Sequence, residues 1–234
     1  MLSVKGLSGG YGRAQVLFDL SFDVGRGEVV CLMGRNGMGK TTTVKTVMGL
    51  LAPWAGDVSF EGRRLNGWSA ARVARSGLGL VPEGRQIFPN LTLDENLLAT
   101  AANRAGAPDP WTPARVFDLF PSLAERRASF GDLLSGGEQQ MLAIGRALMT
   151  NPKLLILDEA TEGLAPVVRD QIWGCLGRLR ALGQSIVIID KHVQKLSTLA
   201  DRFYVLERGR IVWSGGSAEL RGEHERLNRY LSVS

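Results

Sequence analysis

The sequence predicts an α/β fold in which helices cover both faces of a parallel β-sheet. Short apolar runs at residues 28–33, 154–157 and 186–189 are flanked by polar residues, which is typical of strands buried on both faces. Longer segments with helical spacing, at 138–149 and 167–182, accompany these runs. Alternation of this kind favours parallel strands joined by helical crossovers.

The chain before and after this core is predicted to contain antiparallel β-structure. Residues 4–7 and 16–24 are predicted strands joined by a glycine-rich turn at 9–12. Near the other end, a hairpin within 203–212 is predicted to turn at 207–209. The remaining predicted elements are a helix at 40–50, strands at 57–60 and 78–81, and closing helices within 217–231.

A helical lobe is predicted between the strand at 78–81 and the strand at 154–157. Thr92 with Glu95 has the pattern of a capping box, and Thr112 followed by Pro113 is typical of a helix start. We therefore expect a helical subdomain at about 92–150, inserted into one domain that spans residues 1–234.

Composition excludes several classes of protein. Hydrophobic residues make up 44% and charged residues 22% of 234 residues, which is ordinary for a globular chain. The net charge of +5 comes from scattered Lys and Arg without a basic block, so we expect no nucleic-acid partner. Cys31 and Cys175 lack metal-ligand spacing, and Cys31 is expected in the core. No signal peptide or membrane-spanning run is visible, so a cytoplasmic chain is expected.

The most specific motif is a glycine-rich loop between a predicted strand and a predicted helix. It matches GxxxxGK[ST], whose glycines let backbone N–H groups surround phosphate oxygens at a helix N-terminus. In this pattern Lys40 reaches the β- and γ-phosphates of ATP, and the Thr41 hydroxyl is a Mg²⁺ ligand. The predicted nucleotide-binding residues here are Gly34, Arg35, Asn36, Gly37, Met38, Gly39, Lys40, Thr41 and Thr42.

Two adjacent carboxylates follow the apolar run at 154–157. Asp158 and Glu159 are expected at the carboxyl edge of the sheet, where ligands of open α/β sheets bind. We expect Asp158 to hold Mg²⁺ and Glu159 to orient or deprotonate the attacking water. Such a strand end is common alone, and it becomes specific beside the phosphate loop.

The heptad Leu-Ser-Gly-Gly-Glu-Gln-Gln at 134–140 precedes a predicted amphipathic helix. Ser135 and Glu138 fit an ordinary capping box, whereas Gly136 and Gly137 leave a helix N-terminus open to an anion. The heptad is close to the signature of ABC ATPases, and nearly the whole chain resembles an ABC nucleotide-binding subunit. The resemblance implies a P-loop NTPase core and subunits paired head to tail. In such a pair the signature of one subunit covers the γ-phosphate bound by the other.

The resemblance also assigns roles to two isolated residues. Tyr11 matches the aromatic residue that stacks on adenine, although a buried core tyrosine is the alternative. Glu83 stands where the family has a glutamine that contacts Mg²⁺ and the membrane subunit. A carboxylate can serve as a ligand of a hard cation, and Gln86 could share that role.

Two segments depart from the family pattern. After Glu159 the chain lacks the aspartate that usually couples the two nucleotide sites, because Ala165 follows Leu164. The position of the family's switch histidine is occupied by Lys191, with His192 one residue later. Either Lys191 or His192 would act at the γ-phosphate, unless His192 is only a surface loop residue.

Residues 81–92, 163–166 and 199–202 resemble the shorter of two ATPases in branched-chain amino-acid importers. Importers of urea and short amides share much of this pattern. The resemblance implies a second ATPase subunit, identical or paralogous, with transmembrane permeases and, indirectly, a solute-binding protein. It also implies a peripheral position on the cytoplasmic face of the inner membrane. A non-transport ABC ATPase acting on ribosomes or DNA is a further alternative, whereas the heptad disfavours a P-loop kinase or small GTPase.

Overall fold

A six-stranded sheet forms the centre of the computed structural model, which describes residues 1–104, 106–190 and 192–223. The strands are β1 (Leu2–Tyr11), β2 (Ala14–Val24), β3 (Val29–Met33), β4 (Ala55–Phe60), β5 (Arg63–Arg64), β6 (Leu78–Val81), β7 (Leu154–Asp158), β8 (Ser185–Ile189), β9 (Arg202–Glu207) and β10 (Arg210–Gly216). The helices are α1 (Lys40–Val47), α2 (Ala70–Arg75), α3 (Leu93–Ala99), α4 (Pro113–Leu119), α5 (Pro121–Ala124), α6 (Gly136–Leu148), α7 (Pro166–Ala181), α8 (Val193–Leu199) and α9 (Ser217–Gly222).

The central sheet has the strand order β10-β9-β3-β8-β7-β6. Neighbouring strands from β9 to β6 pair in parallel, and only β10 runs antiparallel to its neighbour. This arrangement confirms the predicted parallel core. The predicted hairpin is also confirmed, since β9 and β10 flank the turn at Arg208 and Gly209.

Side chains of the central strands are buried on both faces of this sheet. Val30 and Leu32 of β3 belong to a core shared with α1 and the N-terminal strands. Cys31, between them in sequence, belongs to the opposite core, which includes α6 and α7. Burial raises the pKa of the Cys31 thiol well above its usual value, in line with its predicted place in the core. The continuous apolar runs of the sequence reflect this double burial.

A second, antiparallel sheet has the order β2-β1-β4-β5 and covers one side of the core. It corresponds to the predicted N-terminal β part, but the turn predicted at 9–12 begins too early, because the observed turn is at Gly12 and Arg13. Gly9, Gly10 and Tyr11 lie inside β1, which is longer than expected. A Cβ at Gly10 would lie 2.0 Å from the Ala14 carbonyl oxygen, so glycine here permits close strand pairing and not a turn.

Between β6 and β7 the described residues form helices, a 3₁₀ turn (Gly131–Leu133) and one isolated bridge between Thr92 and Phe130. The capping box of Thr92 and Glu95 is present, and Thr112 caps α4 with Pro113 at its first position. The helical character predicted for this segment is thus confirmed, and its status as a subdomain stays a prediction.

Other differences concern the ends of elements. The helix predicted at 40–50 ends at Val47, because Gly49 adopts a left-handed conformation with φ of 69°. Neither α2 nor the two-residue strand β5 was predicted. Of the closing helices expected within 217–231, α9 is observed, and residues 224–234 lie outside the described residues.

Truncation of a central strand side chain should destabilise the whole core. Leu155 is 0% exposed in β7. Leu155→Ala should lower the free energy of unfolding by about 2–5 kcal/mol, because it removes apolar contacts and leaves a cavity. Urea denaturation measures this change. Leu182→Ala is the matched control, because Leu182 is 64% exposed and its truncation should change stability by less than about 0.5 kcal/mol. Equal effects of the two substitutions would contradict the observed placement of β7.

Candidate functional site

The glycine-rich loop lies between the end of β3 and the start of α1. Gly34 and Gly39 have φ of 143° and 103°, a region that disfavours other residues. A Cβ at Gly34 would lie 2.4 Å from the Leu206 carbonyl oxygen, and one at Gly39 would lie 2.9 Å from a Leu17 methyl carbon. The strand–loop–helix context required by the motif is therefore present. Gly37 also has a positive φ, whereas Arg35, Asn36 and Met38 complete the loop.

Lys40 begins α1, and its side chain folds over the loop. Its Nζ donates to the carbonyl oxygens of Gly34 at 2.9 Å and Arg35 at 3.1 Å, and lies 3.7 Å from Glu159 Oε1. The residue is 7% exposed. The ammonium group is thus held at the mouth of the loop, where a phosphate oxygen could replace the carbonyl acceptors. Thr42 is buried in the same helical turn.

Asp158 ends β7 opposite the start of α1. Its Oδ1 accepts a hydrogen bond from Thr41 Oγ1 at 3.2 Å. Burial raises the pKa of the Asp158 carboxyl and the charge of Glu83 raises it further, whereas the Thr41 hydrogen bond and the lysine charges oppose this. The structure therefore brings Thr41 and Asp158, two of the three predicted metal ligands, into contact, and the charge of the third, Glu83, acts on Asp158.

Glu159 follows Asp158 with a left-handed backbone, φ 52°, and its N–H donates to the Ile189 carbonyl oxygen at 2.9 Å. Such a conformation is strained for a residue with a side chain, and it aims the carboxylate toward Lys40. A hydrogen bond with Glu162 and burial raise the pKa of Glu159 to about 7, opposed by Lys40. A small cavity of about 20 Å³ is lined by Gly34, Asn36, Lys40, Glu159, Glu162 and Asp190.

Asp190 was not predicted, and it organises the segment that follows β8. Its Oδ1 lies 2.6 Å from Nδ1 of His192, and its Oδ2 accepts a hydrogen bond from Thr161 Oγ1 at 2.5 Å. The other ring nitrogen of His192, Nε2, lies 3.0 Å from Arg169 Nη1. The sequence contained a signal for Asp190, because it follows the apolar run 186–189 just as Asp158 follows 154–157.

His192 therefore makes specific contacts and is more than an unattached surface residue, but it is not among the residues that line the small cavity. Its ring packs edge-on against Trp173 at 6.3 Å between centroids. Lys191, the other candidate for the switch role, lies outside the described residues. Which of the two acts at the γ-phosphate stays a prediction.

Tyr11 ends β1 and is 46% exposed, so the alternative of a buried core tyrosine is wrong. The Nζ of Lys45, on α1, lies 5.8 Å from the centroid of its ring. The exposed ring is therefore next to the helix that starts at the phosphate loop. This position suits stacking on a nucleobase.

The heptad forms the first turn of α6. Ser135 Oγ accepts from the Glu138 backbone N–H at 3.3 Å, and Glu138 Oε2 accepts from the Ser135 N–H at 2.7 Å. The capping box is confirmed. A Cβ would lie 2.7 Å from Arg85 Nη2 at Gly136 and 2.8 Å from a Val168 methyl carbon at Gly137, so a larger residue at either position would displace its neighbour.

The loop after β6 carries Glu83, which is exposed. Gln86, expected to share its role, donates from Nε2 to the Glu83 carbonyl oxygen at 3.3 Å. Arg85 and Gln86 both have positive φ, 66° and 47°, and Arg85 Nη1 donates to Gln139 Oε1 of α6 at 3.2 Å. The sequence did not predict this contact between the Glu83 loop and the heptad helix.

Comparison with known protein families identifies the family of this chain. The family described as "ABC transporter" matches residues 17–162, which include the glycine-rich loop, Asp158, Glu159 and the heptad. This chain belongs to the ABC transporter family. The heptad at 134–140, which resembles the family signature, lies within the matched region and is termed the signature segment.

Two relatives match nearly their whole length. The chain is 41% identical over 231 residues to the "High-affinity branched-chain amino acid transport ATP-binding protein BraG" of Pseudomonas aeruginosa, and the match covers 99% of each chain. It is 32% identical over 232 residues to the "Probable branched-chain amino acid transport ATP-binding protein LivF" of Archaeoglobus fulgidus. That match covers 98% of this chain and 97% of the relative.

Solved structures show the same fold. A structure described as an ATP-binding subunit of an ABC transporter is 32% identical, with a TM-score of 0.79, and the match covers 96% of this chain and 93% of that one. The ADP conformation of another ABC cassette is 26% identical, with a TM-score of 0.78 and coverage of 95% and 93%.

The chain is therefore an ABC ATPase that binds adenine nucleotide and couples ATP hydrolysis to transport. Such cassettes function as dimers with transmembrane permease partners. Among helices of the described residues, none combines the length and apolar character needed to span a bilayer.

The raised pKa of Glu159 makes stability depend on pH. The folded-state pKa is about 7 and the ordinary value is 4.5, so the folded chain binds more protons between these values. The stability contributed by this carboxyl is full below pH 4.5 and is lost as pH rises through about 7. Urea denaturation of the nucleotide-free ABC ATPase without metal, repeated from pH 5 to 8, should show that the free energy of unfolding falls as pH rises. Glu159→Gln should make this fall smaller. Glu125→Gln, at an exposed position, is the control and should keep the wild-type profile. A Glu159→Gln profile parallel to wild type would contradict the assignment.

Proposed function

We propose that this ABC ATPase energises the import of branched-chain amino acids. The observation that carries the proposal is 41% identity to BraG over 99% of both chains, supported by the match to LivF. Urea and short amides are the alternative solutes. The chain itself need not contact the solute, since its work is to bind and hydrolyse MgATP at the cytoplasmic face of the inner membrane.

Thr41, Asp158 and Glu83 would hold Mg²⁺ in this site. The donor set fits a hard cation, because the Thr41 hydroxyl and the Asp158 carboxylate are 3.2 Å apart and the Glu83 charge acts on Asp158. The described residues contain no cluster of three or more His, Cys, Asp or Glu that would hold a metal alone. That agrees with Mg²⁺ sites in which phosphate oxygens and water complete the shell. The ion would neutralise charge on the phosphates.

Glu159 is proposed as the residue that accepts a proton from the attacking water. Its strained backbone fixes the carboxylate near Lys40, and a pKa of about 7 suits proton acceptance at neutral pH. Lys40 would hold the β- and γ-phosphates after exchanging the loop carbonyls for phosphate oxygens. Tyr11 would stack on adenine from the exposed face beside α1.

The signature segment would act on the nucleotide of a second ATPase subunit, identical or paralogous. Ser135 is exposed and Gly136 and Gly137 are partly buried at the N-terminus of α6, whose amides and dipole would attract the γ-phosphate across the dimer. Glu138 stabilises this first turn through its hydrogen bond with the Ser135 N–H. ATP would favour the closed dimer through contacts that the open one lacks. Asp190 and His192, or Lys191, would report the γ-phosphate to the segment after β8.

A cleft between α6 and the strand β6 is proposed to receive the permease. Its volume is about 480 Å³. The charged side chains among its described lining residues are all basic: Arg63, Arg75, Arg85, Arg104, Arg146 and Lys153. Arg146 stacks on Phe88 at 4.4 Å, and its Nη1 has no hydrogen-bond partner among the described residues. A buried donor without an acceptor is costly, so a carboxylate on a permease segment would complete this cleft.

Removal of the Glu159 carboxylate should stop turnover without preventing ATP binding. In the transporter assembled with its permeases, Glu159→Gln should lower ATP hydrolysis by about 10²–10⁴-fold, the range for loss of a general base. Lys40→Ala should instead weaken ATP binding. Glu125→Gln is the matched control and should retain turnover.

Hydrolysis by the control should rise with leucine, isoleucine or valine when the solute-binding protein is present. Stimulation by urea or acetamide alone would overturn the proposed solute class.

Reversal of charge in the basic cleft should weaken docking on the permease. The double variant Arg75→Glu/Arg104→Glu should lower affinity for the permease about tenfold at low salt, and the difference should shrink at high salt because exposed charges are screened. Co-sedimentation with permease vesicles over a salt series measures this. Lys5→Glu, exposed on β1 and outside the cleft, is the control. Docking unaffected by the double variant would place the permease elsewhere.

A further inference from the structure

The guanidinium of Arg85 lies against the first turn of the signature helix. A Cβ placed on Gly136 would meet Arg85 Nη2 at 2.7 Å, Nη1 at 2.8 Å and Cζ at 2.9 Å. The three atoms are at similar distances, so the flat face of the guanidinium covers the Cα of Gly136. A side chain at position 136 would therefore displace the guanidinium of Arg85 from this position.

The same guanidinium is also hydrogen-bonded to α6. Arg85 Nη1 donates to Gln139 Oε1 at 3.2 Å, and Gln139 Nε2 donates to the Gly131 carbonyl oxygen at 2.9 Å. The Gln139 amide thus bonds to Arg85 through its oxygen and to the 3₁₀ turn before the signature through its nitrogen. A displacement of Arg85 would disturb both the helix and the turn that leads into it.

The backbone at Arg85 and Gln86 is strained. The two residues have consecutive positive φ values of 66° and 47°. Such conformations are unfavourable for residues with a side chain, and they persist only where the surroundings require them. The contacts of Arg85 with Gln139 and Gly136 of α6 are part of those surroundings.

Stability alone does not account for this arrangement. A cation near a helix N-terminus is electrostatically unfavourable, because the helix dipole is positive there. Arg126 adds a second cation, 3.6 Å from Glu138 Oε1. The negative charge of Glu138 offsets part of this unfavourable interaction, because its carboxylate accepts a hydrogen bond from the Ser135 N–H at 2.7 Å. A helix selected only for stability would have an acidic residue at the position of Arg85.

Arg85 also lines the basic cleft, so one side chain contacts three functional parts. It belongs to the Glu83 loop, it forms part of the wall proposed to receive the permease, and it covers Gly136. The other five basic residues of the cleft have no contact of this kind with the signature turn among those recorded for the described residues.

We propose that Arg85 is a positioning residue that transmits occupancy of the basic cleft and movement of the Glu83 loop to the signature segment of the same subunit. This inference rests on the proposed function of the cleft and the signature. Because the signature acts on ATP bound by the second subunit, Arg85 would link the permease to the opposite nucleotide site. Arg85 itself is not a catalytic residue.

The test measures ATP hydrolysis with and without the permeases, independently of any solute. Arg85→Ala should lower the permease-stimulated kcat about tenfold, the effect of losing one hydrogen bond to a charged group. Gln139→Leu should lower it similarly, and the double variant should be no worse than either single variant because the two residues act as a unit. Arg85→Lys should recover only part of the loss, since an ammonium cannot both cover Gly136 and reach Gln139.

The matched control is Lys5→Ala, which removes an exposed cation on β1 outside the cleft. It should retain the stimulated kcat. ATP affinity of the ATPase alone and its Tm should be unchanged in Arg85→Ala, which separates coupling from folding. Wild-type stimulation in Arg85→Ala, an equal loss in Lys5→Ala, or additive losses in the double variant would overturn the inference. Failure of leucine to stimulate the wild-type transporter would count against the proposed solute and leave this comparison valid.

Discussion

The site depends on parallel strands that end at one edge of the sheet. β3 pairs with β8 and β8 with β7 in parallel register, so the residues after each strand meet above the same edge. The phosphate loop follows β3, Asp158 and Glu159 close β7, and Asp190 follows β8. Packing on both sheet faces fixes the register, because a shift by one residue would exchange side chains between the two cores and disrupt their packing. The relative placement of the phosphate loop, Asp158, Glu159 and Asp190 is therefore a consequence of core packing.

The sequence predicted those parts of the site that are formed by short runs of consecutive residues. The glycine-rich loop, the carboxylates after 154–157 and the capped heptad are short runs in which residue type and spacing alone determine the geometry. Parallel strands were predictable because double burial leaves an uninterrupted apolar run. The turn at 9–12 was mispredicted because glycine serves close strand pairing as well as turns, and spacing does not distinguish the two.

Contacts between distant segments were not predictable. Arg85 and Gln139 are 54 residues apart, and Thr161 and Asp190 are 29 apart, so no local pattern connects them. Both contacts depend on how loops fold over the sheet edge, which is set by tertiary packing and strained backbone. The exposure of Tyr11 is a similar case, since an aromatic residue near a glycine cluster suits either a core or a surface. These contacts join motifs that the sequence presents as separate.

The unpaired guanidinium nitrogen of Arg146 has a consequence for the life of the free subunit. A buried donor without an acceptor costs about 1–3 kcal/mol, and burial also lowers the pKa of this arginine. The proposed permease carboxylate would remove this penalty only in the assembled transporter. Binding to the permease would then stabilise the folded subunit, so the unassembled chain would be the less stable form. Small differences in stability change the unfolded fraction that proteases can cleave severalfold. Surplus copies made without their membrane partners would be degraded first, which keeps the subunits in proportion.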